Sequence, residues 1–285
     1  MAPEELSMSD RSVASRRALL AAVGTSAAVL PVNAVSAPTA VVLRVRVVPA
    51  TTGGRWNGWD RPALEAYAAV GVALERLTAH IERESSLVED ANWTLDAAPG
   101  IDPPTGLDGS DLLTAVGDAL AGRDARSADT AHLLLAREPF NPTLGYGTAR
   151  AHVARGDDGT VTVANLGATE RWDGRAVTRN MAIHEVLHTL VDDEAVNGVV
   201  EGDCDHDLGS VTRVDAGVRE VTPFATAYAG AAEPGSETTW HGSGCGDHER
   251  FYRHDGITEE WRHTTELSPG TLAAVRDFAE RRLRS

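Results

Sequence analysis

The stretch that decides how this chain is read is AIHEVLHTL, residues 182–190. Ile183, Val186, Leu187 and Leu190 recur at helical spacing, while Met181, His184 and His188 lie along an adjacent stripe. Four residues make slightly more than one helical turn, so two imidazoles at this separation project side by side. Two such rings can share a tetrahedral ion, and Glu185, next to the first, can be aimed at a water on that ion as a general base. The competing reading is an ordinary helix with an exposed histidine pair, and the surrounding chain must separate the two.

The helix is expected from about Arg175 to Val191. Ahead of it, VVLRVRVV (41–48) alternates Leu43, Val45 and Val47 with Arg44 and Arg46, the period of a half-buried strand. Asp60 and Pro62 suit the start of a helix whose Val70, Leu74, Leu77 and Ile81 share one face. NWTLD (92–96) reads as a short strand, followed by a Pro/Gly/Asp-rich loop and a short helix carrying Leu112, Leu113, Val116 and Leu120. HLLLA (132–136), GYGTARAHV (145–153) and TVTVAN (160–165) read as strands, with RGDDG (155–159) as the turn between the last two. GYGTA (145–149) suits a rim strand against which an extended peptide could pair. Asn197-Gly198 and Gly202 break the chain, and a final helix is expected from about Pro269 with Ser268 as its cap. The expected class is α+β, a twisted mixed sheet with the HExxH helix and a C-terminal helix.

A catalytic zinc site needs a third protein ligand and one open position. Glu194, Glu201, Asp203, Asp205 and His206 all follow within eighteen positions of His188. His206 supplies the nitrogen donor that zinc favours and is the preferred candidate; Glu194 and Glu201 remain alternatives.

Composition narrows the partners. Lysine is absent, so all 26 basic residues are arginine, and 42 acidic residues leave a formal charge of -16. Such a surface repels nucleic acid and anionic membranes, and its self-repulsion is relieved in concentrated salt. Neither is expected as a partner, and adaptation to high salt is. The 42% hydrophobic content is enough for a real core.

Residues 1–37 read as a leader. Arg16-Arg17 precede an uncharged run from Ala18 to Ala37, and Val35-Ser36-Ala37 has the spacing of a cleavage site. The segment resembles a twin-arginine export signal. Its apolar core before Pro31 is about 13 residues, short of the ~20 that a membrane span needs. The rest, 38–285, is read as one catalytic domain with an N-terminal subdomain 38–191 and a C-terminal subdomain 192–285. In an exported chain the two cysteines, Cys204 and Cys245, are expected to form a disulfide.

The order of elements, with HEVLH (184–188) near its centre, resembles the metzincin group of zinc metallopeptidases. CDHDLGS (204–210) looks like a displaced third-ligand segment, and VTPFATAY (221–228) resembles the turn below the metal that carries a methionine in that group. The resemblance implies a zincin-like fold, Zn²⁺ on His184, His188 and a third ligand, and Glu185 as the base. It also implies that Tyr228 approaches the metal or a developing oxyanion. Three departures mark a divergent relative. His206 follows His188 by eighteen positions where the compact HExxHxxGxxH pattern has six; Val191 stands at that pattern's glycine, with Glu194 at its third histidine; and Phe224 stands at the methionine.

The expectation is therefore a secreted, zinc-dependent metallopeptidase acting on peptide or protein substrates. The alternative is an exported zincin-like binding or surface protein without activity. A non-peptide substrate is also compatible, because HExxH specifies water activation and not what is cut.

Overall fold

In the computed structural model, the described residues are 40–51, 58–123, 129–149, 160–202, 204–226, 248–256 and 260–282. The leader, the turn at 155–159, Tyr228 and Cys245 lie outside them. Residues 38–285 fall in one compact unit.

The chain enters on β1 (Ala40–Pro49) and crosses through α1 (Arg61–Glu84) to β2 (Asp90–Ala97), which pairs with β1 in parallel. Asp60 caps α1 by accepting from the Ala63 amide at 3.1 Å, and Pro62 sits in the first turn, where no amide hydrogen is needed. The buried face of α1 carries Val70, Leu74, Leu77 and Ile81, as the spacing predicts. After α2 (Gly109–Ala121) the chain adds β3 (Ala131–Ala136), β4 (Gly147–Ala149) and β5 (Thr160–Asn165). The sheet order is β2-β1-β3-β5-β4, with four parallel strands and β4 antiparallel at the rim.

Helices cover both faces, which is why β3 reads as an unbroken apolar run. Leu133 and Leu135 join the core with α1, whereas Leu134 and Ala136 join the one beneath α2. Truncating a fully buried side chain such as Leu74 would cost about 2–5 kcal/mol. Of the predicted GYGTARAHV strand, the three residues 147–149 are strand, and residues 150–153 lie outside the described chain.

α3 (Leu166–Trp172) follows β5 with no break, a helix that sequence reading omits. Asn165 makes this possible: its side-chain oxygen accepts from Glu138 N at 3.0 Å and Ala168 N at 3.4 Å, and its amide donates to the Glu138 and Gly145 carbonyls. One buried amide thus ends a strand, starts a helix and holds the loop that leads to β4. α4 (Arg175–Leu187) then runs between the sheet and the C-terminal half, so almost every residue from Val177 onward is buried. It ends four residues before the expected Val191; His188 is its C-cap and keeps helical dihedrals.

α5 (Asp193–Asn197) is a short helix where the sequence suggests only broken chain, and Asp192 caps it. A 3₁₀ turn, Asp205–Leu208, leads into β6 (Ser210–Asp215), which forms a hairpin with β7 (Val218–Val221) around Gly217. β8 (Arg253–His254) and β9 (Glu260–His263) complete a second sheet in the order β8-β6-β7-β9. α6 (Pro269–Arg282) starts at Ser268, whose hydroxyl accepts from Thr271 N at 2.9 Å, as expected for the cap. Phe224, Val275 and Phe278 pack in the same core as Leu43, Val45 and Leu74, so one core runs through both halves of 38–285.

Candidate metal centre

Three histidine rings meet where the C-terminal end of α4 faces the 3₁₀ turn. Nε2 of His184 lies 2.9 Å from Nε2 of His188 and 3.2 Å from Nε2 of His206. Two nitrogens each about 2.0–2.1 Å from a tetrahedral ion stand about 3.3 Å apart, so the spacing is that of a shared divalent cation within a few tenths of an ångström. His184 and His188 come from successive turns of α4, and His206 from the 3₁₀ turn.

The opposite ring nitrogens explain why a cation fits. Nδ1 of His184 lies 2.6 Å from the Pro223 carbonyl oxygen, and Nδ1 of His188 lies 2.5 Å from Asp205 Oδ2. A carbonyl and a carboxylate only accept, so each Nδ1 carries the hydrogen. In neutral rings both Nε2 atoms then present lone pairs to each other, which a proton or a metal cation between them would satisfy. Burial and the charge on His188 hold His184 well below the usual histidine range. The same two causes hold His206 down to about 4. Burial would lower His188 too, but Asp205 beside it outweighs this and raises it. Burial would in turn raise Asp205, and the His188 imidazole holds it well below the carboxylate range.

Glu185 is buried beside His184. Its Oε2 accepts a hydrogen bond from Thr162 Oγ1 at 3.0 Å, and its other oxygen fits against Gly147. Desolvation pushes the carboxyl up to about 7, against the pull of His188 and the Thr162 hydroxyl. A base poised there suits proton transfer at neutral pH.

The turn that carries His206 is fixed from three sides. The Ser268 hydroxyl donates to the Leu208 carbonyl, and Thr271 Oγ1 reaches the same oxygen at 3.3 Å. Tyr252 N donates to the Asp207 carbonyl at 2.6 Å. Gly209 lies so near the following strand turn that a Cβ there would stand 2.1 Å from Ala225 N. That turn carries Phe224, whose ring centroid is 5.8 Å from His184, 5.3 Å from His188 and 6.5 Å from His206, each near edge-on. It forms an apolar floor against the three imidazoles. Asn180, one turn before His184, ties α4 to the Val221 and Thr264 carbonyls at 3.2 and 2.8 Å.

The structure brings His184, Glu185, His188 and His206 together, sets Asp205 against the His188 ring, and leaves Glu194 and Glu201 away from the cluster. Glu194 projects from α5 into solvent, 3.6 Å from Arg281, and Glu201 is exposed. Asp203 and Tyr228 lie outside the described residues. Cys204 Sγ is 3.7 Å from His206 Nδ1, while Cys245, its expected partner, is outside them too. Cys204, Asp205 and His206 form a second possible ligand group that overlaps the first. Sequence reading did not assign roles to Thr162, Asp205 as orienting carboxylate, or Gly147 as the residue against Glu185. Only Asp205 left a signal, a carboxylate adjacent to the candidate histidine.

Among the described residues no helix is long and apolar enough to cross a membrane. No protein-family model matches the chain, and no curated protein matches it significantly.

Proposed function

We propose that this chain is an exported zinc metallopeptidase of divergent zincin type. The observation that carries the reading is the convergence of the three Nε2 atoms with the Glu185 carboxylate beside them. An all-nitrogen donor set favours zinc over calcium or magnesium, which take oxygen ligands. When bound, zinc polarises a carbonyl and lowers the pKa of a coordinated water toward about 7.

The residues divide the remaining work. His184 and His188 are held by Pro223 and Asp205 with their Nε2 lone pairs turned inward. Glu185 takes a proton from the attacking water at its carboxylate and delivers it to the leaving amine. Thr162 keeps that carboxylate aimed. β4, antiparallel at the rim and in contact with Glu185 through Gly147, is a strand along which an extended peptide can pair by backbone hydrogen bonds. Export through the Arg16-Arg17 leader, a Cys204 to Cys245 disulfide and tolerance of high salt belong to the same proposal; the leader pattern, the paired cysteine count and the charge of -16 support them.

The test is metal content and hydrolysis together. The purified protein should carry zinc one to one and cut denatured protein at high salt; Glu185→Gln should keep the zinc and lose the cutting. Zinc without cutting in the unaltered protein would favour the non-enzymatic binding reading instead.

A further inference from the structure

We infer that Asp205 is a positioning residue for metal capture: it fixes the ring of His188, and because it adjoins His206 it makes docking of the third-ligand turn and orientation of the second ligand one event. The inference rests on the zinc reading above and adds to it a residue whose carboxylate faces the Nδ1 side of a ligand ring.

The two helix histidines are held differently. His184 is deep in the fold, and its Nδ1 faces a backbone carbonyl, Pro223 O, that no side-chain substitution removes. His188 sits at the C-cap of α4, where the helix no longer continues past it, and its ring retains 14% of its exposure. The contact that fixes its Nδ1 comes from seventeen residues along the chain, Asp205 Oδ2 at 2.5 Å. An ionised carboxylate has no hydrogen to donate, so it keeps the hydrogen on Nδ1 and leaves the Nε2 lone pair facing the centre. It also brings a negative charge to a site otherwise made of neutral rings about a dication.

Asp205 and His206 are successive residues of one 3₁₀ turn. When the turn docks, the carboxylate reaches His188 as the next ring reaches His184. The turn does not depend on Asp205 for its place in the fold. Leu208 is held by Ser268 and Thr271, Asp207 by the Tyr252 amide, and Gly209 is seated on Ala225. Removing the carboxylate should therefore leave the fold and loosen the metal.

The experiment uses the full chain as purified, with Asp205→Ala, Asp205→Asn and Asp205→Glu. Zinc affinity is measured by chelator competition, cobalt substitution reports coordination geometry from its visible absorption, and thermal unfolding in chelator reports the metal-free fold. Asp205→Ala should bind zinc about 10- to 100-fold more weakly and give a weaker, shifted cobalt spectrum, with the metal-free protein still unfolding in one cooperative transition. Asp205→Asn should lose less, since its carbonyl oxygen can still accept, and Asp205→Glu should recover part of the affinity. Zinc affinity of Asp205→Ala within twofold of the unaltered protein overturns the inference while leaving the zinc site standing. An unaltered protein that takes up no zinc overturns both. Should Asp205→Ala fail to fold, Asp205→Asn decides: affinity equal to the unaltered protein defeats the proposal.

Discussion

Gly147 and Glu185 meet so closely that a Cβ on the glycine would lie 2.1 Å from the carboxylate Oε1 and 2.6 Å from its carbon. The same Cβ would stand 2.6 Å from the Val163 carbonyl oxygen, so swinging the carboxylate aside does not make room. An alanine must either push β4 off β5 or drive Glu185 from the position that Thr162 holds. A misplacement near 1 Å in a reacting group costs on the order of 100-fold in rate. Gly147→Ala should thus keep stoichiometric zinc, because it alters none of the three imidazoles and its nearest neighbours are Glu185 and Val163, and lose about 100-fold in kcat/KM on a denatured protein substrate. Full activity in that variant would show that β4 does not constrain the base.

The layout before residue 191 is legible in the sequence because its cores are one-sided or continuous. Val70, Leu74, Leu77 and Ile81 on α1, and the run of β3, can satisfy their burial in only one way. The elements that periodicity does not mark are held by polar side chains, some distant in sequence and some local. α3 depends on the Asn165 amide reaching Glu138 and Gly145, and α5 on a local cap at Asp192. Periodicity carries no record of either. The β6–β7 hairpin did leave a trace, with Val211 and Val221 inward and Gly217 at the turn, but its strands are short and rich in charge. At the site, HExxH was readable because both rings come from one helix. His206 was readable only as one donor among several, because the contacts that select it over Glu194 and Glu201 come from Ser268, Thr271 and Tyr252.

The third donor can be settled by removing each candidate in turn. A buried imidazole 3.2 Å from His184 Nε2 should contribute most of the affinity that two histidines lack. His206→Ala should weaken zinc binding by more than about 100-fold, since losing a ligand exceeds the 10- to 100-fold effect of losing a ligand's support. Glu194→Ala and Glu201→Ala should bind zinc as the unaltered protein does, because neither side chain reaches the centre. Isothermal titration of the three metal-free variants measures this directly, and a large loss in Glu201→Ala with none in His206→Ala would reverse the assignment.

Phe224 tests whether the floor beneath the rings acts by packing. It is fully buried and edge-on to all three imidazoles. Phe224→Met is close to volume-conserving and should cost less than about 1.5 kcal/mol, with zinc retained. Phe224→Ala should cost about 3–5 kcal/mol by leaving a cavity under the ligands. Denaturant unfolding of the zinc-loaded protein separates these outcomes; equal losses in both variants would mean that the aromatic ring itself is required.

The junction of α3 and α4 provides a pH-dependent test of the scaffold, outside the histidine cluster. Burial would raise the Glu170 carboxyl, but Arg175 donates to both its oxygens, at 2.6 and 2.8 Å, and Thr178 adds a hydrogen bond at 2.6 Å; the net effect lowers it. A group whose folded-state value lies below its unfolded one stabilises the fold above the unfolded pKa, roughly 4.3 for glutamate, and loses that contribution as pH falls through the folded value. Glu170→Gln removes the charge and keeps one acceptor oxygen. At pH 7 it should lower stability by about 1 kcal/mol, a Tm decrease of about 2–4 °C for a domain of this size. The gap between variant and parent should shrink as pH falls below the unfolded value and on through the lowered folded one. Paired thermal melts from pH 7 down to pH 3 measure it. A gap that stays constant over that range would mean that Glu170 acts through shape and hydrogen bonding alone, with its charge contributing nothing to the α3–α4 joint.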